Sequence, residues 1–422
     1  MFISVCKSMR LIACTVMFVG FQQPLHAKTE ASITDNVELK QLVNIVNDVL
    51  KRNPELQASY AKVEAAKARL QGARLPLNNP ELELEAEKTD VDTYSIGISQ
   101  TIDWHSKQNA LEIAQKSQLD AALASARALR LEKAGELLKA IGDVIALHNI
   151  TTLSKQRTEI IERFSNVAKK LHSAGDISSA ELEMAKLSLA ESVMQHATQG
   201  EVLIEAKISC TEISGQSITS NIQFPQQLPG KLPPITDVEK TLQNHPKVRL
   251  AYLSSQAIRQ QMHFTEQDRK ADPTVGVSVG REDNEDLIGI TFSMPLQVRN
   301  DFSHNVDAAI AETLQAEKEA RQTYQALSAR LNGAFERYNL VAHAWNVWVN
   351  QGRQSLKQRL ESLDIQWKAG EINTTDYLLQ LQQTLDIQMD GVELQGKLWD
   401  AWVEWLMTSN KLSVWLDQII KE

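Results

Sequence analysis

Cysteine is nearly missing from this sequence, with three in 422 residues. Two of them, Cys6 and Cys14, fall in the first 27 residues, which have the plan of a secretory signal. Lys7 and Arg10 give a basic start, Leu11 to Phe21 an apolar run, and Pro24 and Ala27 precede the expected cut. Cleavage there leaves Cys210 alone, so no intramolecular disulfide can form. The residues ending at Cys14 resemble a lipobox, but only Leu11 to Ala13 separate that cysteine from Arg10, and lipidation is not expected. Positive charge is also short. Without Lys7 and Arg10 the chain carries 42 basic against 53 acidic side chains, a formal charge of −11, which argues against nucleic acid as a partner. No stretch beyond the signal reaches the roughly 18 apolar residues of a transmembrane helix, so any membrane crossing must be made by strands.

Catalytic patterns are absent too. The sequence holds no nucleophile elbow, Walker loop, HExxH, or GxGxxG in a strand-to-helix setting. Its histidines are not spaced as ligand pairs. Neither an enzyme, a metal site nor a cofactor is expected.

Proline is absent between Pro80 and Pro225 and again after Pro295, which leaves two long tracts without a helix breaker. The same events precede both tracts, as in a duplicated unit. A helix opened by Pro54 pairs with one opened by Pro246, and Ile96-Gly97-Ile98 recurs as Ile288-Gly289-Ile290. Each tract of about 70 residues would make a helix roughly 100 Å long, ending at a glycine turn, "HSAGDIS" at Gly175 or "WKAGEIN" at Gly370. The expected organisation is a signal at 1–27, a first repeat at 28–213, a Pro/Ser/Gly linker at 214–236 and a second repeat at 237–422. Leu131, Ala134, Leu138, Ile141 and Ile145 mark one helical seam; Leu327, Leu331, Ala334, Tyr338, Val341, Trp345 and Trp348 mark the other. Trp399, Trp402 and Trp405 stand beside Asp400 and Glu404 rather than a basic face, which favours packing over a membrane-surface helix.

Four strands are expected in two hairpins, 81–103 and 274–295. One face reads Leu82, Leu84, Ala86, Tyr94, Ile96, Ile98, Val275, Val277, Val279, Ile288, Ile290, Phe292. The other carries Glu83, Glu85 and Glu87 with Ser95, Gly97, Ser99, Thr274, Gly276, Ser278, Gly289, Thr291 and Ser293. That division suits a lipid face and a water face. A soluble sandwich alternates as well, so a secreted coiled-coil protein with a soluble β cap is the competing expectation. Four strands cannot close a barrel, which needs about eight. In lipid, several copies would have to share one. Glu83, Glu85 and Glu87 then become pore-lining, and a ring of them favours cations.

The doubled order of helix, hairpin, long helix, glycine turn and helix, with "AGDIS", "AGEIN" and "SMPLQVRN" (Ser293 to Asn300), resembles the TolC-like outer-membrane efflux proteins over nearly the whole mature chain. The resemblance implies a homotrimer with a shared 12-stranded barrel above a long α-helical tunnel in the periplasm. It also implies a periplasmic adaptor and an inner-membrane pump of the RND class as partners, and lipid of the bacterial outer membrane. Carried over from that family, Gly175, Asp176, Gly370 and Glu371 are adaptor-contacting tips, while Asp376 and its counterpart Glu181 form a periplasmic constriction. Leu171 and Gln366 stand where the family tends to have arginine. "LQGARLPLNNPELELE" (Leu70 to Glu85) looks most like the branch serving heavy-metal cations; drug efflux and type I protein secretion are the alternatives within the resemblance.

Overall fold

A computed structural model describes residues 37–217, 223–225 and 228–421. The expected signal at 1–27, with Cys14, lies outside the described residues. The first repeat has α1 (Val37–Arg52), α2 (Pro54–Ala73), β1 (Glu81–Lys88), β2 (Asp92–Thr101), α3 (Lys107–Ala174) and α4 (Ser179–Ser214). The second has α5 (Val238–Gln243), α6 (Pro246–Asp268), β3 (Thr274–Glu282), β4 (Glu285–Ser293), α7 (Ser303–Val347), a π-turn (Trp348–Gly352), α8 (Arg353–Lys368), α9 (Thr374–Thr408) and α10 (Leu412–Lys421). The fold class anticipated from sequence is thus observed: an all-α rod carrying four strands. No helix among the described residues is long and apolar enough to cross a membrane.

Proline and the residue before it set the helix starts after which each repeat turns toward its strands. Asn53 caps α2 by accepting from the Leu56 amide at 3.0 Å. His245 does the same for α6 through Nδ1, which accepts from the Lys247 amide at 3.1 Å, while its Nε2–H donates to the Met407 carbonyl at 2.9 Å. The Nδ1 bond needs the neutral ring, since a protonated Nδ1 cannot accept. Burial, the larger cause, holds its pKa below the ordinary 6.5 despite the Met407 bond. The folded pKa lies below the unfolded one, so stability is complete above about pH 6.5 and is lost as pH falls from there toward the folded value. Melting temperature is therefore expected to drop between about pH 7.5 and about pH 5.5, and His245→Asn, which keeps a capping acceptor, should flatten that part of the drop. A pH slope identical in both proteins would remove this role.

The helices form one open layer. Near the strands the order across the layer is α2, α3, α6, α7; toward the glycine turns it is α4, α3, α9, then α7 with α8. The main core fills the middle of the layer, where α3 meets α9. Leu131, Ala134, Leu138, Ile141 and Ile145 are all buried there, as are Trp399, Trp402 and Trp405, which settles the tryptophans as packing residues. The Trp399 Nε1–H donates to the Leu138 carbonyl at 2.8 Å. A side chain at Gly142 would strike that indole, so the close approach of the repeats depends on a glycine in mid-helix. Lys139 pairs with Glu404 and with Asp400, and Arg337 with Asp400 at 2.8 Å, which uses the acids flanking the tryptophans.

α3 runs unbroken for 68 residues, and its counterpart stays helical from Ser303 to Lys368 but widens into the π-turn at Trp348–Gly352. The Trp348 ring lies over Gly352 of its own helix and over Gly391 of α9, where any Cβ would collide with it. A widened turn and two missing side chains make room for one indole. Trp345 and Trp348 are accordingly half-buried rather than fully in the core, with the Arg353 guanidinium 5.1 Å from the Trp345 ring centre.

Candidate functional site: a two-faced ribbon with open edges

The four strands form one antiparallel sheet in the order β1-β2-β3-β4. Register aligns the apolar positions in continuous rows: Leu84, Ile96, Val279 and Ile288 in one, Leu82, Ile98, Val277 and Ile290 in the next. No second layer covers them among the described residues. Leu84 is 73% exposed, Ile288 80% and Ile290 81%. A soluble cap would bury these rows over an oily interior, and this sheet does not.

The opposite face holds Glu81, Glu83, Glu85 and Glu87 in a column along β1. The Glu83 carboxylate accepts from the Ser99 hydroxyl at 2.6 Å and Glu85 from the Ser95 hydroxyl at 3.2 Å. Beyond them lies a checkerboard of small residues: Gly97 faces Ser278, which faces Gly289, and Ser99 faces Gly276. These neighbours are close. A Cβ on Gly97 or Gly276 would stand 3.1 Å from the Cβ of the serine opposite, and one on Gly280 would stand 2.8 Å from Ser95 Cβ and strike the Tyr94 carbonyl. Crowding on the polar face and openness on the apolar one describe a sheet curled with its carboxylate side inward. Strand alternation alone puts Gly97, Gly276 and Gly289 on the polar face but does not show that their smallness sets the curl; glycine recurring on one face of consecutive strands is the signal for it. Glu81 extends the carboxylate column beyond the three glutamates expected, and Leu287 lies on the polar side.

Both ribbon edges are open, and β1 runs opposite to β4. A second copy can therefore add its β1 to β4 and continue the antiparallel ladder. The helical layer is open at the same two ends. At the α4 edge, Leu187, Ala190, Met194, Ala197, Ile204 and Ile208 are exposed at three-, four- and seven-residue spacing, with Glu201 interrupting the stripe. At the α7 and α8 edge, Leu340, Val347 and Ile365 are exposed.

The two glycine turns at the far end are built alike. Gly175 has φ 84° and Gly370 φ 74°; Asp176 N–H donates to Leu171 O and Glu371 N–H to Gln366 O, each at 2.9 Å. Leu171 and Gln366, where the resembled family tends to have arginine, thus serve here through backbone carbonyls. Ser178 and Glu181 form a capping box, with the Glu181 carboxylate accepting from the Ser178 amide and hydroxyl at 2.8 Å each, and these bonds lower its pKa. Asn373 caps the Asp376 amide at 2.8 Å and its side-chain amide donates to the Asp376 carboxylate at 2.8 Å. In one protomer the Glu181 carboxylate therefore completes a capping box, and the Asp376 carboxylate is held by the asparagine that caps its helix. Phe164, Trp367 and Tyr377 stack at centroid distances of 4.7 to 5.3 Å and tie the turns of the two repeats into one end.

No cluster of metal-ligating side chains occurs among the described residues. Residues 45–216 match the outer membrane efflux protein family. Among solved structures, the chain is similar to the outer-membrane channel OprN, with 16% identity, a TM-score of 0.73 and coverage of 90% of this chain and 91% of that one. The Campylobacter jejuni CmeC outer membrane channel gives 14% identity, a TM-score of 0.75 and coverage of 96% and 94%. CusC, whose structures concern folding and transmembrane channel formation, gives 13%, 0.69, 87% and 92%. No curated protein sequence matches the chain. At these identities the structural likeness is one of fold.

Proposed function

We propose that this chain is one protomer of a TolC-like outer-membrane exit duct, a reading supported by the match of residues 45–216 to the outer membrane efflux protein family and by the likeness of its fold to OprN and CmeC. The observation that carries this is the curled ribbon, greasy and uncovered outside, carboxylate-bearing inside, and open at both edges. Lipid forbids open edges. Three copies supply twelve strands, enough to close a barrel, and the helical layers below close into a tunnel along the same edges. The duct is passive, with energy supplied by an inner-membrane pump reached through a periplasmic adaptor at Gly175, Asp176, Gly370 and Glu371. The ring of Asp376 and Glu181 narrows that end once three protomers meet.

For cargo we assign heavy-metal cations, moved by a pump of the RND class. Support comes from the carboxylate column, which lowers the potential of the lumen for cations, and from the resemblance of Leu70 to Glu85 to that branch. Deleting the gene is expected to lower tolerance to copper, silver, zinc or cobalt salts and leave tolerance to hydrophobic drugs unchanged. Drug sensitivity with unchanged metal tolerance would give the cargo to the drug-efflux alternative, and loss of a secreted protein would give it to type I secretion.

A further inference from the structure

At the waist of the helical layer the end of α9 meets the start of α6. The joint is fixed by the His245 bond to the Met407 carbonyl and by the Asn410 side-chain amide, which donates to the Asn244 carbonyl at 3.2 Å. Beside it lies a cleft of about 530 Å³, within the size range of small-ligand sites. Three segments wall it: the end of the inter-repeat linker at 233–237, α5, and the turn at 409–411 between α9 and α10. These walls are held in place. Asn410 takes a left-handed conformation at φ 59°, and the Lys411 amide closes the turn by donating to the Leu406 carbonyl at 2.9 Å. On the other side the Asp237 carboxylate accepts from the Lys240 amide at 2.9 Å.

The groups left unmet in the cleft define its occupant. Ser409 lies in the lining at 5% exposure, and its hydroxyl has no hydrogen-bond partner, a rare state for a buried polar group. Lys240 and Lys411 are exposed at the rim, and neither is paired with a carboxylate among the described residues, although acids outnumber bases in this chain. The Lys411 amino group stands 4.6 Å from the centre of the Trp405 ring, which holds it beside the turn. Asp237, the carboxylate of the lining, already serves as a cap. Asn244 and Asn410 donate through their side-chain nitrogens, to the Lys240 carbonyl at 2.9 Å and to the Asn244 carbonyl, so their side-chain oxygens remain as acceptors. Pro233, Pro234 and Ile235 add an apolar wall.

Two ammonium groups and a hydroxyl call for acceptor oxygens, while two amide oxygens call for N–H donors. A metal cation would find only one carboxylate here, and a simple anion would leave both amide oxygens unmet. Peptide backbone carries N–H and C=O together. We propose that the cleft binds an acidic peptide segment, its side-chain carboxylate on Lys240 and Lys411, its main-chain N–H groups on the side-chain oxygens of Asn244 and Asn410, and a carbonyl on the Ser409 hydroxyl. The site shares no residue with the ribbon or the glycine turns that carry the transport reading, and it stands or falls apart from that reading.

The test is calorimetric titration of the assembled protein in detergent with acetyl-Ala-Glu-Ala-amide, whose only carboxylate is the glutamate side chain. Acetyl-Ala-Gln-Ala-amide and sodium acetate are titrated alongside. The expected result is saturable binding of the glutamate peptide with a dissociation constant below about 1 mM, and binding of the glutamine peptide weaker by about fivefold or more. Acetate should bind more weakly than either peptide. Lys240→Gln and Lys411→Gln should each weaken the glutamate peptide by about threefold to fivefold, and Ser409→Ala, which removes only a hydroxyl, by about threefold, with the oligomer unchanged. No saturable binding of the glutamate peptide overturns the proposal. Binding that all three variants leave unchanged overturns it by placing the peptide elsewhere on the protein. Equal affinity for the two peptides overturns the acidic class, and acetate that binds as tightly as the glutamate peptide gives the cleft to a simple anion.

Discussion

Replacing Leu187, Met194 and Ile204 together by aspartate is expected to leave the protomer folded and abolish the trimer. All three lie on the exposed seam of α4, and none belongs to the buried clusters of its own protomer. Burying a side chain of this kind stabilises by about 2 kcal/mol, so three of them contribute on the order of 5 kcal/mol to each interface. Carboxylates there would add a desolvation cost of several kcal/mol more. Unheated gel electrophoresis should show protomers in place of a heat-sensitive oligomer, with helical circular dichroism retained and export lost. A trimer that survives all three substitutions would mean that α4 does not meet a neighbouring copy.

Gly280→Val should be the most damaging single change in the ribbon. A Cβ there meets the backbone of β2, at the Tyr94 carbonyl and Ser95, and backbone cannot turn aside as a side-chain end can. Overpacking of this kind costs about 1–3 kcal/mol and often more, and three copies would carry it into one barrel. The expected outcome is loss of assembled protein from the outer membrane. Gly72→Ala is the contrasting case: nothing lies within 4 Å of its Cβ position in α2, so the change should be neutral or stabilise by up to about 1 kcal/mol. Wild-type assembly of Gly280→Val would show that the sheet is not curled as described.

Much of this architecture is legible in the chain because two periodicities are strong. Leu82 to Glu87 alternates with period two, and residues 131–145 repeat at three and four, so strand and seam could be read directly. The paired Ile-Gly-Ile and glycine turns exposed the duplication. What escaped was whatever depends on a partner distant in sequence. The π-turn at Trp348 needs Gly391 on another helix, and the curl of the sheet needs Gly97, Gly276 and Gly280 to face Ser278, Ser99 and Ser95 across strands. The α4 seam could have been found by its spacing. Glu181 in its capping box and Asp376 beside its capping Asn373 have local roles that the sequence permits, and any narrowing of the tunnel by them arises only when copies meet.

A watery lumen walled by Glu83, Glu85 and Glu87 inside a shared barrel is the claim on which the transport function turns. Its most direct measurement is the reversal potential of the assembled protein in a planar bilayer under a potassium chloride gradient, compared with Glu83→Gln, Glu85→Gln and Glu87→Gln combined. Carboxylates facing the lumen predict a cation-selective potential that moves toward zero in the triple variant, while assembly is unchanged. A protein that conducts with the same reversal potential before and after the three changes would contradict the placement of that face.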